Sequence, residues 1–298
     1  MEERPKSNER LLIILAFAAI YFIWGSTYLA NDWASRDVPH LLMVGMRFLV
    51  AGSIMYAYTI WKKAPPLSRQ QWRNTAWIGF LFLTMGTGAA VLSLQYVSSS
   101  FSALIISFEP MLVMILLWVV KKRKPAGQAW LGAFVSIVGL VLLMGTPELP
   151  PWEKLIPGLC WIGTGMLSWG WGLVHLEELD QGSNPIRGVA AQMLTGGAFL
   201  LILSSLKGEW ALFSVDRISS RGLLAWAYLI SFGSIIAYSS FNYLLKRVSP
   251  EKVATNTYVN PLVAAILGYS LNNEPFTGRM VVAAFLLLAG VYFINRAK

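Results

Sequence analysis

The sequence predicts an all-α polytopic membrane protein of about ten transmembrane helices, arranged as two inverted five-helix repeats. Three observations carry that prediction. First, the 298-residue chain is 56% hydrophobic and only 13% charged, where an average soluble domain carries about 25% charged residues. Second, a hydrocarbon core of about 30 Å needs roughly 20 apolar residues per helix, and apolar runs of that length follow one another with little chain left over. Third, the stretch 97–141 recurs without a gap, at a constant offset, as 248–292. Val97-Ser98 answers Val248-Ser249, Glu109-Pro110 answers Asn260-Pro261, Gly127 answers Gly278, and Gly139 answers Gly290. A polar residue followed by proline inside an apolar run, twice in one register, marks a duplicated unit.

The runs fall in order. A polar segment with Arg4, Lys6 and Arg10 precedes the first helix, 11–30, which lacks a small-residue cleavage site and reads as retained. The second, 41–61, is followed by Lys62, Lys63, Arg69 and Arg73; the third covers 72–96 and the fourth 99–120. Lys121-Lys122-Arg123-Lys124 leads into the fifth, 128–144, and a proline-rich connector, 147–157, separates the repeats 1–146 and 158–298. The second repeat runs 158–175, 188–206, 222–245, 253–271 and 279–294. Lysine and arginine concentrate in alternate loops, which places both termini in the cytoplasm. The loop 121–124 is fully basic, whereas the aligned loop reads Asn272-Asn273-Glu274-Pro275. Opposite charge at one aligned position is what inverted copies produce. The net charge of +9 therefore serves topology and does not imply a nucleic-acid partner. The single cysteine, Cys160, excludes an intrachain disulfide and a multi-cysteine metal site.

Earlier parts of the repeats match at a second offset, with Trp24-Gly25 against Trp169-Gly170 and Arg47 against Gln192. Trp24-Gly25-Ser26-Thr27-Tyr28, Arg47-Phe48, Glu109-Pro110 and Asn260-Pro261, within ten spans, resemble the drug/metabolite transporter superfamily, specifically EamA-type permeases. The resemblance covers essentially the whole chain. It implies a basket of two inverted repeats around a central cavity that moves amino acids or other small metabolites across the inner membrane, usually outward. Gln192 in place of an arginine departs from a symmetric arrangement.

A charge at mid-bilayer costs about 2.5 to 3.5 kcal/mol and faces the bundle interior. Arg47 and Glu109 are such charges, at depths of about 12 Å and about 15 to 17 Å for a rise of about 1.5 Å per residue. A pair between them is geometrically possible. Glu109 reads either as a proton-coupling or amine-binding carboxylate or as a structural partner of Arg47, and Arg47 itself reads as a structural charge. Pro110 and Pro261 remove a backbone donor in mid-helix and free the Ile106 and Thr257 carbonyls, which makes them candidate hinges. Asn256 and Asn260 lie one turn apart beside the second break.

Polar stripes at helical spacing complete the candidate substrate site: Trp24 and Tyr28; Thr164, Ser168 and Trp171; Ser234 and Tyr238. Aromatic walls with a few hydroxyls suit a zwitterion, although serines, threonines and tryptophans also serve helix packing. His175 near Glu177, Glu178 and Asp180 reads as a solvated loop instead of a metal site. No cofactor is expected. The expected partners are a small-molecule substrate, the lipid bilayer and protons as coupling ion, with the chain acting as a monomer. The rival classes are transport of another solute (sugar, nucleobase or drug), a channel, and an intramembrane enzyme. Against an enzyme, the sequence offers no H-E-x-x-H, no G-x-S-x-G and no paired intramembrane aspartates.

Overall fold

The computed structural model describes residues 7–145, 149–272 and 277–297. The first residues of the polar N-terminal segment, Pro147 of the connector and the loop Asn273-Glu274-Pro275 lie outside them. The described residues form helices joined by short turns. In chain order these are α1 (Asn8–Ser35), α2 (His40–Trp61), α3 (Arg69–Ser93), α4 (Ser99–Ile106), α5 (Glu109–Lys121) and α6 (Gly127–Met144). There follow α7 (Trp152–His175), α8 (Pro185–Leu206), α9 (Ser220–Leu245), α10 (Pro250–Val253), α11 (Asn256–Asn272) and α12 (Gly278–Arg296). Among the described residues, eight stretches are long and apolar enough to cross a membrane: α1, α2, α3, the α4–α5 stretch Phe101–Lys121, α6, α8, α9 and α12. In lipid a backbone must satisfy its own N–H and C=O groups, so apolar runs of this length become helices.

Helix starts follow local chemistry. Ser68 caps α3 in a reciprocal box with Gln71, Ser98 accepts from Phe101 N–H, and Asn184 caps α8 just before Pro185. α7 begins at Trp152, earlier than expected, so the connector is shorter than 147–157 and Pro157 lies inside the helix. Pro151 sits at the cap, and six residues on Pro157 forgoes one early intrahelical bond, a loss the helix carries.

Two pairs of helices pack along most of their length: α6 with α12, and α2 with α8. Glycines set the closeness. A Cβ on Gly139 would stand 3.1 Å from the Ala283 carbonyl oxygen and 3.0 Å from the Leu287 nitrogen. One on Gly290 would strike the Gly132 carbonyl oxygen and stand 2.8 Å from the Ser136 nitrogen. The same reciprocity holds at the other pair: Gly52 faces the Ala190 oxygen and Leu194 nitrogen, and Gly197 faces the Gly45 oxygen and Leu49 nitrogen.

The loops gather at two ends. At one end Arg247 donates to Glu9 at 3.2 Å, Lys121 pairs with Glu178, and Arg123 pairs with Glu251. Asn295 to Ala297 close the same end beside Lys252 and Gln128, so the first and last described helices begin and finish there. At the other end Ser219 donates to Asp37 through its N–H and its hydroxyl, at 3.0 and 2.6 Å, and Arg221 lies 3.9 Å over the Trp33 ring.

Three helices contain π-helical segments: Ala19–Ile23 in α1, Phe80–Thr87 in α3 and Leu229–Tyr238 in α9. Such segments leave carbonyls open to other donors, often near functional sites. Ser168 donates to the Leu81 carbonyl at 2.9 Å, and the Trp24 indole donates to the Gly233 carbonyl at 3.2 Å.

Candidate functional site

Among the described residues the chain breaks helix within two of its spans, the second near the end that carries Lys252 and Asn295, and hydroxyls take up the carbonyls released. Between α4 and α5 it does so at Ser107-Phe108, where Ser107 Oγ donates to the Leu104 carbonyl at 2.6 Å. Between α10 and α11 it does so at Ala254-Thr255, where Thr255 Oγ1 donates to the Lys252 carbonyl at 2.6 Å and meets the Tyr21 hydroxyl at 2.7 Å. The prolines behave differently from the expected matched mid-helix pair. Pro110 stands at the very start of α5, where its missing N–H has no intrahelical acceptor to lose, while Pro261 lies inside the continuous α11. The second break therefore precedes its proline by more than a turn, because Thr255 and its bond to Tyr21 hold it there.

Glu109 is the first residue of α5, where a carboxylate is favoured by the helix dipole. It is 6% exposed, and its Oε1 has no hydrogen-bond partner. Asn260, at the aligned position, is also 6% exposed with its Oδ1 unpartnered. Tyr28 lies within electrostatic reach of Glu109 and is 43% exposed. One turn back from Tyr28, Gly25 packs against Val263 and the Asn260 carbonyl, at 3.1 Å for the latter from an added Cβ. Thus α1 packs on the Asn260 backbone and carries Tyr28 within electrostatic reach of Glu109. Asn256 opens α11 and is buried.

The other predicted residues are engaged. Arg47 does not pair with Glu109; its Nε donates to Ser234 Oγ at 2.7 Å and its guanidinium stands 5.1 Å from the Phe48 ring centre. The hydroxyl on α9 reaches it directly, whereas Glu109 Oε1 accepts no hydrogen bond. Tyr238 donates to Gln192 Oε1 at 2.6 Å, and Gln192 Nε2 donates to Asn242 Oδ1 at 3.2 Å and to Gln181. Trp24 packs on Trp169 and Phe241, with ring centres 6.3 and 5.1 Å apart, and Phe82 completes this cluster at 4.7 Å from Trp169. Thr164 and Trp171 share the exposed face of α7 with Leu167; Thr164 bonds the Cys160 carbonyl of its own helix at 2.8 Å and Trp171 stacks on His175. They do not converge with Glu109. Ser168 is held on Leu81.

The acidic loop after α7 is spent on packing. Lys121 holds the Glu178 carboxyl below the usual range, and the Gln71 amide, followed by the Gly182 N–H, does the same for Asp180. Sequence reading missed Glu209, whose carboxylate accepts from Leu42 N–H at 2.8 Å and Ser204 at 2.9 Å and so caps α2. It also missed Arg187, buried against Thr59 at 2.9 Å and over the Tyr56 ring. Neither has a clear local signature, since Leu42 for Glu209 and Thr59 for Arg187 come from a helix distant in sequence. The Gln192 network yields a stability prediction. Gln192→Leu leaves the Tyr238 hydroxyl and the Asn242 and Gln181 amides short of a buried partner, and is expected to cost about 1 to 3 kcal/mol, read as earlier thermal unfolding of the purified protein.

Comparison with known proteins agrees with this architecture. The EamA-like transporter family matches twice, over residues 11–145 and 156–296. The inner membrane transporter YedA of Escherichia coli (strain K12) is 34% identical over 291 residues, covering 93% of this chain and 90% of that protein. The transporter YvbV of Bacillus subtilis (strain 168) is 23% identical over 305 residues, covering 99% and 94%. A solved crystal structure superposes with a TM-score of 0.78 at 16% identity, over 95% of this chain and 97% of that one, which shows the shared fold. With two family matches spanning nearly all of its helices, this chain belongs to the EamA-like transporters of the drug/metabolite transporter superfamily and is a multi-pass membrane transporter.

Proposed function

We propose that this protein is a secondary transporter that exports amino acids, or small metabolites bearing an amine, across the inner membrane by alternating access. The observation that carries the reading is the pair of buried acceptors, Glu109 Oε1 and Asn260 Oδ1, with no protein partner. Buried acceptors are normally satisfied, and an ammonium supplies several donors at once. The Tyr28 ring, within electrostatic reach of Glu109, suits the same cation. Glu109 can alternatively take a proton when the substrate leaves, which couples flux to a proton gradient.

The reciprocal glycine contacts support two copies related by a two-fold axis, since each residue meets the counterpart of its own partner. Together with the matching of the family in two stretches, they favour ten crossings in two inverted repeats. Rocking of one repeat against the other would hinge at the breaks before Glu109 and Asn256, with Pro110 fixing the direction of the first. The end where the first described helix begins and the last finishes also carries Lys62, Lys63 and Lys121 to Lys124, so it is assigned to the cytoplasm. In a Cys160→Ser background, Lys122→Cys is expected to react only from the cytoplasmic side and Lys207→Cys only from the outside; labelling of both from one side would rule this topology out.

The function itself is tested by flux in proteoliposomes with labelled amino acids, sugars and nucleobases, with and without a pH gradient. Saturable amino-acid flux that responds to the gradient is expected. Saturable flux of sugars or nucleobases alone would replace the substrate class, and non-saturable flux would indicate a channel.

A further inference from the structure

Away from the central site, a groove of about 600 Å³ opens on the flank of the bundle between α1, the start of α8 and the end of α9. Its origin is legible in the backbone. Ala19 opens the π-helical segment of α1 and Ile236 belongs to that of α9, and the two segments face each other across the groove. A π-turn adds a residue to the helical turn and shifts the faces on either side, so an open flank remains beside the contact between the two helices.

The groove is amphipathic along its length. Leu12, Leu15, Ile186 and Ile236 line it, and all four are 40% or more exposed, so the apolar part is open to acyl chains. At the end of the bundle where the first described helix begins it finishes in Ser240, Lys246 and Arg247. Arg247 is anchored by Glu9 at 3.2 Å and lies 3.8 Å over the Tyr243 ring. Lys246 makes no ion pair or hydrogen bond among the described residues; Asp180 acts on it only at a distance and already accepts from Gln71 and Gly182. The Ser240 hydroxyl is likewise without a protein partner among them.

We propose that this groove is a binding site for an anionic phospholipid, with the phosphate on Lys246 and Ser240, Arg247 flanking it, and an acyl chain laid along Leu12, Leu15 and Ile236. Charge complementarity selects the occupant: a free cation at the rim of an apolar groove at the membrane surface matches a molecule that carries a phosphate at one end and hydrocarbon below it. Basic pockets between transmembrane helices take anionic headgroups for this reason. A bound lipid here touches α1, which bears Tyr28, and α9, which bears Ser234 and Tyr238, so its binding would bear on the helices of the central site without entering it.

The test uses the full-length protein in mild detergent, with phosphatidylglycerol and phosphatidylcholine of the same acyl chains as probes and native mass spectrometry as the readout. One phosphatidylglycerol is expected to be retained in preference to phosphatidylcholine. Lys246→Gln is expected to weaken that retention about fivefold, the worth of one cation near a membrane surface. Ala19→Phe, which fills the apolar part and keeps every charge, is expected to abolish it; circular dichroism verifies that both variants stay folded. Equal retention of the two lipids, no change in Lys246→Gln, or displacement by inorganic phosphate would each overturn the proposal. Unchanged retention in Ala19→Phe would do the same, since the headgroup would then be held by surface charge alone.

Discussion

Glu109→Gln is expected to lower saturable amino-acid flux by about tenfold to a hundredfold and to remove its response to a pH gradient. Glutamine keeps the volume of the side chain and an acceptor oxygen, so packing at the start of α5 is preserved. What goes is the charge. A hydrogen bond to a charged group contributes about 1.5 to 3 kcal/mol, and each 1.36 kcal/mol is about tenfold in rate. Glu209→Gln is the control, because that carboxylate is also buried but already has protein donors, among them the Leu42 N–H and the Ser204 hydroxyl. It is expected to lower thermal stability and leave the pH response intact. If Glu109→Gln transports with the parent's rate and pH profile, Glu109 is a structural residue and the coupling role is lost.

The largest stability effect is expected at Gly290. A side chain there runs into the Gly132 carbonyl oxygen and the Ser136 side chain of α6, and backbone cannot move aside without parting the two helices. Close approach of small residues is what holds transmembrane helices together, since lipid tails are as apolar as leucine and supply no hydrophobic drive. Gly290→Val is therefore expected to destabilise the folded protein by about 3 kcal/mol, at the upper end for overpacked cores. Gly163→Ala is the matched control, because no atom lies within 4 Å of the added Cβ. That substitution is expected to be neutral or to stabilise by up to about 1 kcal/mol. Thermal unfolding of the three proteins in one detergent separates these outcomes, and equal behaviour of the Gly290 and Gly163 variants would show that the α6–α12 contact carries little stability.

Of the candidate site, the sequence marked polar positions inside the membrane spans but not the partners each of them meets. Glu109 and Asn260 were legible as polar residues before prolines in a repeated register, and the fold leaves both with an open acceptor. Depth along the helices makes an Arg47–Glu109 pair geometrically possible, but depth does not fix rotation about the bundle, and Arg47 turns to Ser234. The stripe of Thr164 and Trp171 has helical period, and the Gly165 and Gly172 side of α7 packs on α3, which leaves these two exposed. The second break moved away from Pro261 because a hydroxyl contact from Tyr21, distant in sequence, stabilises the chain at Thr255.

The sequence by itself determined that this chain is helical, lies in a membrane and is built from a repeated unit, since those properties follow from apolar length, from backbone hydrogen bonds that lipid cannot satisfy, and from a fixed register of residues. Only the tertiary structure decided which polar groups are spent on one another and which stay open. Arg47, Ser168, Tyr238 and Gln192 find partners on other helices, Glu109 and Asn260 do not, and that division depends on how each helix is rotated and how closely glycine lets its neighbour approach, which no spacing along a single chain encodes.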